Sequence, residues 1–247
     1  MAVIDGDMAK HLACCDAALD ISACLSDRLG IARSLLLKSR NRLLPGAQAL
    51  ELLHESLEIF RSENDTEGIA KAFSDMGTKA SGEPDVARRI AWIEEGLQRH
   101  RQRGDYRNIA LTIGELGYAL QHGGADAESV RPLFEEMLAR SAPLKDPNIR
   151  GKALFLLGHT EMADRNYVAA RRCYAEGLEL VRRQGAKTGL ALFLISLAEA
   201  ERRLGQLQSA RAFTEEALAL YRELNDASGA EGALQLLTKI AAPAEPM

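Results

Sequence analysis

Apolar residues recur along this chain at helical spacing and, over a longer range, at intervals of 40 or 41 residues. Leu36, Met76, Leu116, Leu157 and Leu197 form one series, and a further step of 40 falls on Leu237. About 21 residues after each of the first five comes a second series: Leu57, Leu97, Leu138, Leu178 and Leu218. Gly77, Gly117, Gly158 and Ala198 follow members of the first series; Ser56, Gly96, Gly177 and Ala217 precede members of the second, where Met137 is the exception. A small residue beside an apolar anchor lets another helix approach closely, and a fixed long period marks a stacked repeat.

Turn signals separate the two series: Pro45-Gly46, Gly82-Glu83-Pro84, Gly123-Gly124 and Asp164-Arg165-Asn166. Each repeat is therefore read as two helices, with Pro45 and Pro84 suited to a first turn, where the missing N–H is no loss. Polar joints follow the second helix, at Asn64-Asp65, Gly104-Asp105, Lys145-Asp146 and Asn225-Asp226, and each Asp is placed to cap the next helix. Pro132 falls inside the helix expected after Ala125 and is expected to delay or kink it. The expected fold is all-α, a single solenoid of antiparallel helix pairs over residues 1–247. Its parts are a half repeat at 5–25, full repeats at 28–64, 65–104, 105–144, 146–185 and 187–225, a capping helix at 227–241 and a tail at 242–247. A chain that begins with a second helix is expected either to be a fragment of a longer protein or to present an unpaired interface.

The run Leu157-Gly158, Tyr167, Ala170, Tyr174, Gly177-Leu178 resembles the tetratricopeptide repeat (TPR) family, and Leu197-Ala198, Leu207, Ala210, Phe213, Ala217-Leu218 is similar. The resemblance extends over about residues 5 to 241. It departs in its period, 40 against the usual 34, in Glu161 and Glu201, which stand where an aromatic is common, and in Arg89, which replaces a small residue. A 40-residue variant resembles the C-terminal repeat regions of large bacterial signalling ATPases and LuxR-type transcriptional activators. The resemblance implies a right-handed superhelix and a non-catalytic scaffold that binds a protein or peptide in a regulatory or sensor role. Small-molecule sensing in the groove and homodimerisation are the alternative roles.

Composition narrows the classes. Hydrophobic residues make up 47% and charged residues 27%, so a packed core is within reach. A formal charge of −4 offers no global attraction to nucleic acid or an anionic membrane. No apolar run is long enough for a membrane span and the start lacks a signal-peptide pattern, so a cytoplasmic protein is expected. The cysteines Cys14, Cys15, Cys24 and Cys173 include no Cys-x-x-Cys. Asp7, His11, Cys14 and Cys15 have metal-ligand spacing, but Cys15 lies at a core phase and a packing role is preferred. No phosphate loop, nucleophile elbow or zinc-protease motif occurs, so no catalytic residue, metal or cofactor is expected.

In the TPR family the first helix of each repeat lines a concave groove. Positions opposite the anchoring leucine are then expected to meet a ligand. These include Ser34, Lys38, Asn41, Arg42, Lys71, Thr78, Ser81, Gly82, Tyr118, His122, Lys152, Phe155, His159, Met162, Glu199, Arg202 and Arg203, with Lys239 on the cap. Basic residues outnumber acidic ones in this set, which favours an acidic segment as partner. Tyr118, Phe155, His159 and Met162 offer an apolar floor. Ser34, Ser74 and Gly114 occupy the row where a carboxylate clamp would need lysine, so chaperone-tail binding is not expected. The N-terminal half repeat is expected to expose Met8, Leu12 and Leu19, as the surface for a homodimer.

Overall fold

A computed structural model describes residues 2–79 and 86–241, with the side chains of residues 2–7 and Thr78 left undescribed. The expected turn at Gly82-Glu83-Pro84, the groove positions Thr78, Ser81 and Gly82, the ligand candidate Asp7 and the tail 242–247 lie outside the described side chains. Among the described residues there are twelve α-helices and no strand. They fall into two compact units, Met1–Gly124 and Ala125–Met247.

The N-terminal unit holds α1 (Ala2–Cys24), α2 (Arg28–Ser39), α3 (Gly46–Ser62), α4 (Thr66–Lys79), α5 (Val86–Arg103) and α6 (Tyr106–His122). The C-terminal unit holds α7 (Ala127–Leu144), α8 (Pro147–Ala163), α9 (Tyr167–Gln184), α10 (Lys187–Arg203), α11 (Leu207–Glu223) and α12 (Ala227–Ala241). Within each unit every helix packs on the next, and first helices of neighbouring repeats also touch: α2 with α4, α4 with α6, α10 with α12.

The two leucine series form the core. Leu36, Met76, Leu116, Leu157 and Leu197 are buried, as are Leu57, Leu97, Leu178 and Leu218. In α7 the pattern turns slightly: Met137 is fully buried and Leu138 only partly. Met137 fills the slot that Ser56, Gly96, Gly177 and Ala217 keep small in the other second helices. One turn on, Ser141 stands where they carry Phe60, His100, Val181 and Tyr221. The bulk has moved along the helix by a turn, so the volume available to neighbouring helices is kept.

The joints follow a common plan. Asp27, Asp65, Asp105, Asp126, Asp146 and Asp226 each accept a hydrogen bond from a first-turn backbone N–H at 2.9 to 3.1 Å, satisfying a donor the helix leaves open. The residue before the cap is often left-handed, as at Ser26, Asn64, Gly104, Lys145, Gly185 and Asn225. Pro45 stands at the N-cap position of α3, without a side-chain cap bond, rather than in its first turn, while Pro147 occupies the first turn of α8. Pro132 does not delay α7, which begins at Ala127 under the Asp126 cap; the ring lies on the exposed side of the helix.

Glu161 and Arg89 are buried charged residues with specific partners. Glu161 accepts from Arg131 Nε at 2.7 Å and from Asn166 Nδ2 at 2.8 Å, tying α7 to the α8–α9 turn. Arg89 donates from Nε to the Gly77 carbonyl at 3.0 Å. Further ion pairs join the two helices of one repeat, Arg28 with Glu63, Arg103 with Glu67 and Lys187 with Glu223, and Arg182 with Glu216 links the second helices of neighbouring repeats. No described helix is long and apolar enough to cross a membrane.

Candidate functional site

In the C-terminal unit, α8 and α10 are both first helices and carry the expected groove residues Lys152, Phe155, His159, Met162, Glu199, Arg202 and Arg203. Phe155 sits at the centre of an aromatic cluster. Its ring centroid lies 4.5 Å from His159, 5.4 Å from Phe193 in an edge-to-face arrangement, and 6.2 Å from Tyr174. His159 also meets Tyr174 edge-on at 5.7 Å. Offset and edge-to-face contacts of this kind suit the ring quadrupoles. Tyr174 and Phe193 are buried and Phe155 is half-buried, so the cluster is rooted in the core and opens at Phe155 and His159. Packing among these rings holds the His159 imidazole below its ordinary pKa, by desolvation of the charged form. Met162 packs against the same core, on the next turn of α8.

The rings fit because two glycines make room. A β-carbon on Gly158 would lie 2.4 Å from Tyr174 Cε1, and one on Gly177 would lie 2.1 Å from Phe193 Cε1. Beside Phe155 a cleft of about 240 Å³ opens between α8, α9 and α10, bordered by Gly151, Lys152, Val181, Leu192 and Phe193. Leu192 is 45% exposed, an apolar side chain at the cleft rim.

The cations of this face are largely engaged. Glu199 accepts from Arg202 Nε and Nη2, both at 2.8 Å, and from Arg203 Nε at 2.7 Å. Burial raises the Glu199 carboxyl, but the hydrogen bonds from the two arginines outweigh it and hold the pKa below its ordinary value. Two guanidinium groups thus share one carboxylate, leaving one positive charge in excess. Arg203 also lies 6.0 Å from the Tyr167 ring centroid. Lys152 and Lys239 are exposed.

The groove residues of the N-terminal unit divide differently. Tyr118 is exposed and meets His122 at a tilt of 60°, with ring centroids 4.2 Å apart, and the Arg89 guanidinium lies 5.9 Å from the Tyr118 ring. Lys38 pairs with Asp16 at 2.6 Å, and Lys71 pairs with Glu67. Arg42 is exposed. Ser34 and Asn41, expected in the groove, are buried instead, because α1 packs over this part of α2: Asn41 Nδ2 donates to the Met8 carbonyl at 2.8 Å.

Around the metal-spaced residues, His11 Nδ1 lies 3.1 Å from Asn41 Nδ2, and Cys15 is buried while Cys14 is exposed. Among the described residues no group of three His, Cys, Asp or Glu is arranged to hold a metal. Burial pushes the Cys173 thiol up to about 11, far from thiolate reactivity at neutral pH.

The sequence named Phe155 and His159 but not Phe193, which backs them. The signal was available in Gly177, whose lack of a side chain on α9 requires a large partner opposite. Met8, Leu12 and Leu19 are half-buried; the strongly exposed apolar side chains at the start of the chain are Ile21 at 61% and Leu25 at 72%. The apolar surface is therefore displaced toward the end of α1, because α2 covers the face expected to be open.

No protein-family model matches the chain, and no curated protein matches it. Solved structures of similar fold do. A Rap protein complexed with competence and sporulation factor superposes with a TM-score of 0.68 at 14% identity, over 96% of this chain and 72% of that one. BtubC (BKLC) from P. vanneervenii gives 0.75 at 14% identity, over 89% and 92%. A signal transduction ATPase with numerous domains, carrying a tetratricopeptide repeat sensor, from Pyrococcus horikoshii gives 0.61 at 14% identity, over 87% of this chain and 37% of that one. With these neighbours the fold is that of the tetratricopeptide-like helical repeat proteins.

Proposed function

We propose that the chain is a non-catalytic binding module that receives a protein or peptide segment on the first-helix face of its C-terminal unit. The observation that carries this reading is Phe155: a half-buried aromatic on a rigid base of Tyr174 and Phe193, beside a cleft rimmed by exposed Leu192 and Lys152. Rigid aromatic anchors next to an apolar recess concentrate binding energy in protein interfaces. The cleft, at about 240 Å³, is smaller than the roughly 300–1,000 Å³ usual for small-molecule sites, which favours a single inserted side chain over a small-molecule sensor.

An acidic segment is the preferred partner. The unbalanced charge of the Arg202–Arg203–Glu199 group gives this face a positive surplus within a chain of net charge −4. Charge of this kind acts on encounter and selectivity more than on final affinity. A sensor or regulatory role in a bacterial-type signalling or transcription-control protein fits the 40-residue repeat and the likeness to the signalling ATPase's repeat sensor. Ile21 and Leu25 supply the apolar contacts for a homodimer through α1, a second use of the surface that light scattering addresses directly.

The test is a display selection of short random peptides on the full chain. Enrichment of acidic sequences containing an apolar residue is expected. The selected peptide should bind more weakly to Phe155→Ala at every salt concentration. It should bind more weakly to Arg202→Glu/Arg203→Glu chiefly at low salt, since exposed charges are screened beyond a Debye length of roughly 8 Å at physiological ionic strength. Arg182→Glu/Arg183→Glu, on the second helix α9, is the control. If that control weakens binding as much as the α10 change, the assigned face is wrong.

A further inference from the structure

A second surface, in the N-terminal unit, has an unbalanced charge of its own. Arg40, Arg42, Asp75 and Lys79 line an open depression of about 470 Å³ beside the C-terminal ends of α2 and α4. Asp75, with its side chain 19% exposed, accepts from Arg40 Nε at 2.7 Å. Lys79 donates from Nζ to the Asn41 carbonyl at 3.2 Å, which satisfies a hydrogen bond without neutralising the charge. Arg42 meets no carboxylate or other acceptor among the described residues, and only Nε of Arg40 is engaged.

Among the described residues three cations therefore face one carboxylate, a surplus of two positive charges in a single recess. The arginines that bridge helices elsewhere differ: Arg28, Arg103, Arg131 and Arg182 each close on glutamate or aspartate. A cation near a helix C-terminus is favoured by the helix dipole, and that accounts for Lys79 on the Asn41 carbonyl. It does not account for Arg42, which lies beyond the end of α2 and touches no terminal carbonyl. Burial holds the Lys79 ammonium below its ordinary pKa; Asp75 opposes this and Arg42 adds to it.

We propose that this depression binds a phosphoryl dianion, either free phosphate or a phosphate monoester. Arg42 and Lys79 are the main donors, and the free terminal nitrogens of Arg40 are a third. A dianion cancels the surplus, whereas a single carboxylate leaves half of it. The guanidinium fork matches the spacing of phosphate oxygens, and Lys79 adds a compact charge. The site is independent of the peptide face on α8 and α10, which belongs to the other unit.

The test is calorimetric titration of the full chain, at constant ionic strength, with inorganic phosphate, phenyl phosphate and a pentaglutamate peptide. At least one of the two phosphates should bind with a Kd of about 1 mM or tighter, corresponding to a weak but measurable site. Binding of phenyl phosphate alone would identify the monoester as the source; comparable binding of both would show that free phosphate suffices. Arg42→Gln should weaken binding about tenfold, a change expected when one charge-assisted donor is lost. Arg42 is exposed, so this variant should fold normally. Arg171→Gln, an exposed arginine on α9, should change nothing. Absence of heat from both phosphates at about 10 mM would overturn the proposal. Binding of pentaglutamate as tight as phosphate, or affinity unchanged in Arg42→Gln, would also overturn it.

Discussion

The edge of the Phe193 ring occupies the place a side chain at residue 177 would take: Cε1 lies 2.1 Å from the β-carbon position of Gly177. The contact joins α9 to α10 and sets the floor on which Phe155 rests. Gly177→Ala should therefore cost about 1–3 kcal/mol, the usual range for overpacking a close-packed core. Urea denaturation gives the number. Phe193→Leu combined with Gly177→Ala should recover part of the loss, and strict additivity of the two changes would show that they do not meet.

His100 is 1% exposed, and its Nδ1 has no hydrogen-bond partner among the described residues; Nε2 lies 3.3 Å from Ser74 Oγ. Burial holds its pKa below the ordinary value, despite the pull of Asp105. A histidine depressed in the folded state stabilises nothing extra above its unfolded pKa of about 6.5, and stability is lost as pH falls from there through the folded value. His100→Phe, matching Phe60 at the equivalent position of α3, should remove that loss. Denaturation of both proteins near neutral pH and in mild acid should show the variant gaining on the parent as pH falls. Parallel pH profiles would exclude the effect. His159, also depressed, is common to both proteins and cancels in the comparison.

Glu161 is 5% exposed and receives Arg131 and Asn166. Glu161→Ala leaves the Arg131 guanidinium without its inner partner while the outer one, Asp164, remains. A loss of about 1–3 kcal/mol is expected, below the usual range for a fully buried pair because the Arg131 side chain is partly solvated. Glu161→Phe restores the aromatic common in tetratricopeptide repeats. Paired with Arg131→Leu, it should be closer to neutral than Glu161→Ala, by chemical denaturation.

Ala186 precedes α10 with φ −79° and ψ 88°, nearly the conformation of Asp27 ahead of α2, at φ −81° and ψ 91°. Asp27 caps its helix and Ala186 does not. Ala186→Asp should stabilise the chain by about 0.5–2 kcal/mol, the ordinary value of an N-cap. A thermal melt no higher than the parent's would show that the joint conformation is not what makes Asp27 a cap.

The repeat was readable from the sequence because its anchors are local to each helix: period, caps and the two leucine series all follow from side chains a few residues apart. The errors lie where separate helices meet. Ser34 and Asn41 have groove phase on α2, but α1 covers them, and phase on one helix says nothing about a neighbour. Lys38 was counted as available charge, yet Asp16 on α1 takes it; Lys71 is an exception, taken by Glu67 one turn back on α4 itself. The Glu199 contacts were visible as spacings of three and four residues to Arg202 and Arg203, a pairing distance on any helix. The depression at Arg40, Arg42 and Lys79 joins residues nearly one repeat apart, and only the packing of α4 beside α2 reveals it.

The left-handed residue followed by a capping aspartate recurs at Ser26-Asp27, Asn64-Asp65, Gly104-Asp105, Lys145-Asp146 and Asn225-Asp226. Each of these pairs is a splice point at which the backbone enters and leaves in the same way. Rejoining the chain between two of them replaces like with like and keeps every helix in phase. A length change inside a helix instead turns all that follows by about 100° per residue, carrying the anchors off the core. Within either compact unit, the chain can thus be shortened or lengthened by recombination in whole repeats, where a single residue added or lost in a helix is disruptive.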